Sequence, residues 1–325
     1  MKIADMHCDT ISKIYESKLN NTPCSLRKNN FHIDIEKLKK SNYILQNFAM
    51  FVDLSKVENP FEYCINMIDC LYQEVSENIS LISIVKSYSN IEKNLKLNKI
   101  SALISLEEGE ICKGNISFLR ILYKLGVRMM TLTWNYKNEL AYPNSKIINN
   151  KQTPFIDTVN GLTKKGIEFL YEINKLGIIL DVSHLSDAGF FDVAKYSSKP
   201  FVASHSNSRK ICAHPRNLTD KMIKTISRCG GVIGINYYPQ FLNSENGNNS
   251  YASYIVNHAH HIADTGGINS VSLGSDFDGI SGNPEIKDAS YMYILFDLLK
   301  KSGFKESEID KIFYKNVLRV YKEVL

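Results

Sequence analysis

Short apolar, β-branched runs alternate along this chain with segments whose apolar residues recur every three to four positions. Runs of the first kind are typical of buried parallel strands, and segments of the second kind are typical of amphipathic helices. Eight runs are predicted as strands: Lys2–Asp9, Tyr43–Asp53, Ser101–Glu107, Arg128–Trp134, Gly177–His184, Pro200–His205, Gly231–Tyr237 and Ser270–Asp276. Strands that alternate with helices form βαβ units, so the eight strands are expected to run parallel.

The segments between these runs have helical periodicity and recognisable ends. Eight helices are predicted: Phe61–Ser76, Ile116–Leu125, Asp157–Leu176, Ser186–Tyr196, Thr219–Cys229, Tyr251–Thr265, Asp288–Lys300 and Glu306–Val324. Asp157 and Thr219 are expected N-caps, and Gly126, Gly177 and Gly230 follow predicted C-termini. The polar stretches 20–31, 135–153 and 241–250 are predicted loops. The element order predicts an α/β fold, a (β/α)8 TIM-type barrel formed by residues 1–325 as a single domain, since such barrels commonly span roughly 250 residues or more.

Composition narrows the class of protein further. The net charge of +5 is modest for 325 residues and the lysines are scattered, so no nucleic-acid partner is expected. Seven cysteines without a CxxC pair argue against a disulfide framework and against a thiolate zinc site. No apolar run is long enough to cross a membrane, and the chain enters its first predicted strand directly from Met1, which leaves no room for a signal peptide. We therefore expect a cytoplasmic protein without a membrane partner.

Ionisable residues stand at the carboxyl ends of five predicted strands. In chain order they are His7, Asp9, Glu107, His184, His205 and Asp276. In a barrel these strand ends meet at one mouth, where barrel enzymes carry their active sites. Any one of these residues alone is more simply a hydrogen-bonded polar group at a strand end. Together they indicate a metal site, because buried charges must be paired or bind a metal ion.

The kinds of side chain in this set indicate which metal it binds. Imidazoles with carboxylates and no thiolate suit zinc, with manganese, cobalt or iron as possible substitutes. Leaving Asp276 aside as a sixth group, the three histidines and two carboxylates exceed the three protein ligands usual for one catalytic zinc. They suffice for two ions if one carboxylate bridges. Two such ions can share a hydroxide at neutral pH and polarise a substrate carbonyl.

Six strings of this sequence, in order along residues 3–280, closely resemble motifs of the membrane (renal) dipeptidase family. They are Asp5-Met6-His7-Cys8-Asp9, Leu106-Glu107-Glu108-Gly109, Asp181-Val182-Ser183-His184, Ser204-His205-Ser206, Arg216-Asn217 and Gly274-Ser275-Asp276-Phe277-Asp278-Gly279. The resemblance implies zinc-dependent dipeptide hydrolysis on a barrel of the metal-dependent amidohydrolase kind, with a hydroxide shared by two metal ions and with D-residues accepted at the C-terminal side of the substrate. It also implies a homodimer of the bacterial intracellular type.

The resemblance also assigns roles to single residues. It implies that His7 and Asp9 hold one zinc ion, that His184 and His205 hold the other, and that Glu107 bridges the two. Strand alternation and the family string both favour Glu107 over Glu108 for this role.

Two further roles concern the substrate. Asp276 matches the catalytic carboxylate, which takes a proton from the attacking water and passes it to the leaving amine. Arg216 matches the residue that binds the C-terminal carboxylate of the substrate, a task suited to a planar guanidinium.

One string departs from the family. The fourth-strand motif of the animal members ends in Thr-Leu-Thr-His, and its histidine helps to polarise the scissile carbonyl, whereas this chain has Thr131-Leu132-Thr133-Trp134. Tryptophan offers only an N–H donor, so we expect Trp134 to contact the substrate and to change substrate preference. The departure keeps open a metal-dependent amidohydrolase that acts on N-acyl amino acids or lactams. A more remote alternative is a non-catalytic binding protein on the same barrel.

Other ionisable residues are interpreted as structural. His258, His260 and His261 lie in a predicted helix away from the mouth, and His32 belongs to no motif. Asp278 is expected to tie a turn, and His214 has a substrate contact as its less favoured alternative. Asp5 and Asp181 are candidates to orient the metal-binding histidines, with strand-end hydrogen bonding as an equally weighted alternative.

Overall fold

The computed structural model describes residues 1–22, 24–149, 151–245 and 247–325. Within these ranges the strands are β1 Ile3–Asp5, β2 Tyr43–Phe51, β3 Ile82–Ile84, β4 Ile100–Glu107, β5 Val127–Thr131, β6 Ser145–Ile148, β7 Lys151–Pro154, β8 Ile179–Asp181, β9 Ile233–Ile235, β10 Asn249–Ser250, β11 Val271–Leu273 and β12 Asn283–Pro284. The main sheet is parallel and has the order β8-β5-β4-β2-β1-β11-β9, with β3 beside β4. The predicted α/β barrel is confirmed as this curled parallel sheet surrounded by helices.

The sixth predicted strand, Pro200–His205, is wrong as a regular strand. Val202 makes a single parallel bridge to β8 and Ala203 makes one to β9, and these bridges connect the two ends of the sheet. The next two N–H groups bond to side chains instead of a neighbouring strand, Ser204 N–H to Asp181 Oδ1 at 2.8 Å and His205 N–H to Ser183 Oγ at 3.2 Å. The bridges therefore stop after Ala203, and backbone bonding to β9 resumes at Ser206, whose N–H donates to the Gly234 carbonyl at 2.8 Å.

The helices are α1 Thr10–Leu19, α2 Ile35–Lys40, α3 Pro60–Glu77, α4 Tyr88–Lys96, α5 Ile116–Leu125, α6 Lys164–Leu176, α7 Asp187–Tyr196, α8 Asp220–Arg228, α9 Pro239–Leu242, α10 Ala252–Gly266, α11 Tyr293–Lys301, α12 Glu306–Asp310 and α13 Asn316–Val324. The prediction for α5 is confirmed at both ends, as are the Thr219 cap and the left-handed Gly126 and Gly177. The predicted N-cap Asp157 is wrong, because its carboxylate accepts N–H bonds from Val159 and Asn160 in a turn, and α6 begins after Thr163.

Some elements were not predicted. These are the helices α1, α2, α4 and α9, the strand β3, the short β10–β12 pair, and the β6–β7 hairpin inside the predicted loop 135–153. The last predicted helix is two α-helices joined by a π-helical turn at Lys311–Lys315.

The C-terminal helix α13 packs against the barrel interior. Its Val317, Val320 and Tyr321 belong to one buried cluster with the strand residues Ala4 and Leu45. The Tyr321 hydroxyl accepts a hydrogen bond of 2.7 Å from Asn47 Nδ2, so this large side chain is both buried and satisfied. In the described ranges, no helix combines the length and apolarity needed to span a membrane.

Candidate metal centre

The six ionisable residues predicted from the strand ends lie together in the structure. Five of them are at or just beyond the carboxyl ends of strands, and His205 follows the two isolated bridges at Val202 and Ala203. Five of the six are buried, and Asp276 is partly exposed. Among the described residues, ligand atoms lie within 4.8 Å of one another in the group of His7, Glu107 and His205 and in the group of His7, Asp9 and Asp276. His184 Nε2 lies 3.0 Å from both His205 Nε2 and Glu107 Oε1. Asp276, to which the resemblance assigns a catalytic and substrate-binding role, thus also lies at ligand distance.

Glu107 lies between the histidines. Its Oε2 is 3.3 Å from His7 Nε2, while its Oε1 is 3.0 Å from His184 Nε2 and 3.4 Å from His205 Nε2. Each carboxylate oxygen therefore faces a different histidine group, which is the disposition that a bridging carboxylate needs. Although burial alone would raise it, the pKa of Glu107 is held well below its usual range, chiefly by the charge of the neighbouring His7.

The outer ring nitrogens of two histidines are bonded to the protein. Nδ1 of His184 lies 2.8 Å from Asn135 Oδ1, which accepts its proton. Nδ1 of His205 lies 2.7 Å from Ser204 Oγ. That hydroxyl donates its only proton to Asp181 Oδ2 at 2.5 Å, so it must accept from His205 Nδ1–H. In both rings the lone pair is consequently on Nε2.

These tautomers provide a test of whether the residues fit a metal ion. The two Nε2 atoms are 3.0 Å apart, and both are within 3.4 Å of Glu107 Oε1. Two lone pairs and a carboxylate oxygen at such distances repel one another unless a cation lies among them. Burial, with the Arg216 cation nearby, lowers the pKa of His184 to about 4. The His184 ring is therefore neutral at neutral pH and cannot itself be that cation. The residues fit a divalent metal ion.

His7 has a matching environment on the other side of Glu107. Its Nε2 is buried with no hydrogen-bond partner among the described residues, and Asp9 Oδ2 lies 3.3 Å away. Asp9 Oδ1 is likewise buried and unpartnered within the described ranges. Unsatisfied buried groups are costly and call for an explanation. A second cation beside His7 and Asp9 would satisfy both.

Asp276 is held so that one oxygen is free. Its Oδ2 accepts a 2.8 Å hydrogen bond from Asn236 Nδ2, and its Oδ1 lies 3.9 Å from His7 Nε2. Burial raises the pKa of Asp276 well above its usual range, against the opposing effect of His7. A Cβ at Gly279 would collide with the carboxylates of both Asp9 and Asp276, so a larger residue there would displace these side chains from their present positions.

Arg216 enters the same cavity from a loop. Its guanidinium is buried, and it makes only long hydrogen bonds, of 3.4 Å to Ser206 Oγ and 3.3 Å to the His205 carbonyl, while Nε has no partner among the described residues. Burial lowers the pKa of Arg216 to about 10, which leaves it a cation at neutral pH. A buried cation with unfilled donors is suited to bind an anion.

The cavity that joins these residues has a volume of about 410 Å³. Trp134, Arg216 and Asp276 line it together with Asp9, Glu107 and His184, so the structure brings together the predicted substrate-contacting residues and three of the five predicted metal ligands. The Trp134 ring packs edge-on against Phe51 at 4.8 Å and forms part of the wall.

The residues interpreted as structural have structural contacts. His258 is buried and bonds Ser208 N–H and the Leu242 carbonyl, and His261 pairs with Asp220. Asp278 accepts N–H bonds from His32 and Ile33, which ties this part of the chain to the carboxyl end of the barrel.

The two candidates for orienting the metal-binding histidines differ from each other. Asp181 reaches His205 through the Ser204 hydroxyl. Asp5 instead accepts the backbone N–H groups of His7 and Ser275 and contacts no imidazole nitrogen among the residues described.

Three functional contacts were missed by sequence reasoning. Asn135 and Asn236 orient His184 and Asp276 respectively, and Ser204 orients His205. Ser204 adjoins a predicted ligand, and Asn236 falls near the carboxyl end of the predicted strand Gly231–Tyr237, so both positions carried a signal. Asn135 lies in a predicted loop and looks like an ordinary polar loop residue.

A parallel barrel with imidazoles and carboxylates gathered at its carboxyl mouth is the arrangement of metal-dependent barrel hydrolases. The chain belongs to the membrane dipeptidase family, Peptidase family M19, whose model matches residues 1–325. It is an enzyme of the dipeptidase class of metallopeptidases, and a divalent metal is implied.

Individual relatives agree with this family. The chain is 32% identical over 269 residues to an "Uncharacterized protein in pqqA 5'region" of Klebsiella pneumoniae, covering 82% of this chain and 97% of the relative. It is 30% identical over 305 residues to an "Uncharacterized dipeptidase" of Schizosaccharomyces pombe, covering 89% and 72%. In fold it is similar to a metallo peptidase from Rhodobacter sphaeroides, with a TM-score of 0.91, 21% identity and coverage of 100% and 99%.

Proposed function

We propose that this chain hydrolyses the peptide bond of dipeptides with two divalent metal ions, zinc, held by His7, Asp9, Glu107, His184 and His205. The observation that carries the proposal is the convergence of the Nε2 lone pairs of His184 and His205 on Glu107 Oε1, at 3.0 and 3.4 Å. Glu107 Oε2 faces His7 in the opposite direction, which supports a bridging role.

The metal ions would supply Lewis acidity and lower the pKa of water at neutral pH. The protein's own contribution begins with substrate orientation. Arg216 presents unfilled N–H donors to the cavity, and these would bind the C-terminal carboxylate of a dipeptide. When Arg216 holds the C-terminal carboxylate of the dipeptide, the single peptide bond would lie at a set distance from Glu107 and Asp276. Substrate binding would thereby also orient the bond that is cleaved.

Asp276 would manage the proton. Because Asn236 occupies Oδ2, Oδ1 is the oxygen that faces the reacting groups. It would accept a proton as water adds to the peptide carbonyl carbon, and then donate that proton to the leaving nitrogen as the C–N bond breaks. The products are two amino acids, and Asp276 returns to its starting ionisation.

Substrate range follows from the cavity walls. The Rhodobacter sphaeroides structure is described as liganded with a phosphinate mimic of the dipeptide L-Ala-D-Ala. The likeness in fold supports the proposal that D-residues are accepted at the C-terminal side here. Trp134 and Phe51 give one wall an aromatic face, which suits an apolar substrate side chain.

Metal analysis paired with a dipeptide panel tests the proposal. We expect about two zinc ions per chain, cleavage of free L,L- and L,D-dipeptides, and loss of cleavage on chelation with recovery when zinc is restored. Purified protein without metal, and unable to bind added zinc, would contradict the site. Two bound ions without dipeptide cleavage would contradict the substrate.

A second candidate is hydrolysis of another small amide, an N-acyl amino acid or a lactam, by the same centre. The observation in its favour is Trp134, since its indole offers one N–H donor in place of the family histidine. N-acyl amino acids and lactams in the same panel separate the two functions. We further propose that residues 1–325 act as one cytoplasmic barrel domain and form a homodimer, which light scattering of the purified protein tests.

A further inference from the structure

The loop that carries Arg216 is held by a buried ion pair on its far side. The fork of Arg209 meets the carboxylate of Asp187 in a bidentate pair, with Nη1–Oδ2 at 2.7 Å and Nη2–Oδ1 at 2.8 Å. Only 13% of the Arg209 side chain and 10% of the Asp187 side chain are exposed. Asp187 is the first residue of α7, where a helix N-terminus favours a carboxylate.

The remaining donors of Arg209 bind the backbone on both sides of Arg216. Nη2 donates to the Pro215 carbonyl at 3.0 Å, and Nε donates to the Asn217 carbonyl at 2.8 Å. One rigid guanidinium thus holds the peptide carbonyls before and after the residue that faces the cavity. A flexible loop held at both neighbours has little freedom left to turn Arg216 away.

Asn144 links this network to the metal centre. Its Nδ2 donates to the Pro215 carbonyl at 2.9 Å and to Asp187 Oδ1 at 2.7 Å. Its backbone N–H donates to the carbonyl of His184 at 3.0 Å. The position of Arg216 is therefore fixed relative to one of the proposed metal ligands.

We infer that Asp187 and Arg209 are positioning residues for substrate binding, which set where Arg216 meets the C-terminal carboxylate of the substrate. The inference rests on the proposed function, because it requires Arg216 to bind that carboxylate. Neither residue lines the cavity of about 410 Å³, so their influence passes through the Arg216 loop. Lysine at position 209 would keep the charge, yet its single ammonium cannot reproduce the fork that binds two carbonyls and a carboxylate.

The test compares one dipeptide with a free C-terminus and the same dipeptide with an amidated C-terminus. In the zinc-loaded enzyme, Asp187→Asn and Arg209→Lys are expected to raise KM for the free dipeptide about tenfold, with kcat changed by less than about twofold. KM for the amidated dipeptide should stay at the wild-type value. Arg120→Lys is the matched control, since Arg120 pairs with Glu172 at 2.6 Å outside the cavity and should leave both KM values unchanged.

Other outcomes overturn the inference. Equal rises in KM for both substrates, or a fall in kcat alone, would show a structural role without a link to the carboxylate. Unchanged kinetics in both variants would remove the role altogether. If Asp187→Asn does not fold, Arg209→Lys alone gives the comparison, and thermal melting of each variant reports its folding.

Failure of the proposed function is recognised separately with Arg216→Ala in the same assay. If the wild-type enzyme has no preference for the free C-terminus and Arg216→Ala has no effect on KM, Arg216 does not bind the carboxylate, and the inference falls with that role. If Arg216→Ala removes the preference while Asp187→Asn and Arg209→Lys keep it, only the inference is wrong.

Discussion

Replacing Ser204 with alanine should weaken metal binding without removing a ligand. The Ser204 hydroxyl accepts from His205 Nδ1–H at 2.7 Å and donates to Asp181 Oδ2 at 2.5 Å. Alanine leaves Nδ1–H with no acceptor among the described residues, so the tautomer that keeps the lone pair on Nε2 is no longer favoured. Loss of such an orienting partner typically lowers metal affinity about 10- to 100-fold, which corresponds to about 1.4–2.7 kcal/mol.

The assay is zinc competition against a chromophoric chelator, with thermal melting of the metal-free and zinc-loaded protein beside it. We expect Ser204→Ala to need about 10- to 100-fold more free zinc for half occupancy of its weaker site. The gain in melting temperature on adding zinc should shrink accordingly, because stabilisation by a ligand depends on its dissociation constant.

Two variants serve as controls for this prediction. Ser105 is a buried serine on β4 whose hydroxyl has no hydrogen-bond partner within the described ranges, so Ser105→Ala should leave zinc affinity unchanged. Thr131 donates to the same Asp181 oxygen at 2.7 Å without contacting His205, so Thr131→Val should destabilise the fold with a smaller effect on zinc. Equal zinc affinities for Ser204→Ala and Ser105→Ala would refute the Asp181–Ser204–His205 connection.

Three further predictions concern catalysis, substrate binding and acid stability. Asp276→Asn should keep both metal ions and lower kcat by about 10²- to 10⁴-fold, and metal analysis with steady-state kinetics checks it; undiminished turnover would exclude the proton role. Arg216→Ala should raise KM at least about tenfold for free dipeptides and leave amidated ones unchanged, and equal effects on both would exclude the carboxylate contact. Burial lowers the pKa of His258 to about 4, so the unfolded chain takes up the proton first and stability is lost as the pH falls from about 6.5 towards 4. His258→Gln should remove up to about 3 kcal/mol of that pH dependence, measured by urea unfolding at pH 7 and 4.5, and an unchanged pH profile would contradict it.

The strands and the metal ligands could be predicted because one pattern encodes both. In an apolar run that ends in a histidine or carboxylate, the apolar residues indicate a buried strand and the last residue indicates the carboxyl end of the barrel. The predicted strand Ser101–Glu107 is an example, since it corresponds to β4. Helix ends with a left-handed glycine, such as Gly126 after α5, were equally legible.

Strand lengths could not be predicted, because side chains replace strands as hydrogen-bond acceptors. Asp5 Oδ1 accepts the N–H of His7 at 3.2 Å, and β1 ends at Asp5 instead of extending to Asp9. Asp181 Oδ1 accepts the N–H of both Ser183 and Ser204, and this shortens two predicted strands together. Strand propensity carries no information on such contacts, since they depend on which residues the closed barrel brings near.

The amides that orient the site were out of reach for a similar reason. Asn135 is 49 positions from His184, and Asn236 is 40 positions from Asp276. Asn135 is one of many asparagines in polar segments, and Asn236 lies in an apolar run without the charge or imidazole that marks a metal ligand, so only the barrel geometry selects them. The residues that bind a ligand are recognisable from their chemistry, whereas the residues that aim them are recognisable only from their position.

The placement of His184 shows what the mouth requires of the backbone. Asp181 points into the barrel, where it contacts Thr131 and Ser204, so strict alternation would turn a residue three positions later to the opposite face. His184 instead has a φ of 72°, a left-handed conformation that breaks the alternation and lets its ring reach Glu107. Asp276, with a φ of 60°, is a second non-glycine residue of this kind in the same centre. Such conformations cost on the order of 1–3 kcal/mol each, and they persist where the surroundings fix them. Here backbone hydrogen bonds supply that restraint, from Asn144 N–H to the His184 carbonyl at 3.0 Å and from Asp276 N–H to the His7 carbonyl at 3.3 Å. Asn135 and Asn236 then orient the two side chains on that fixed backbone.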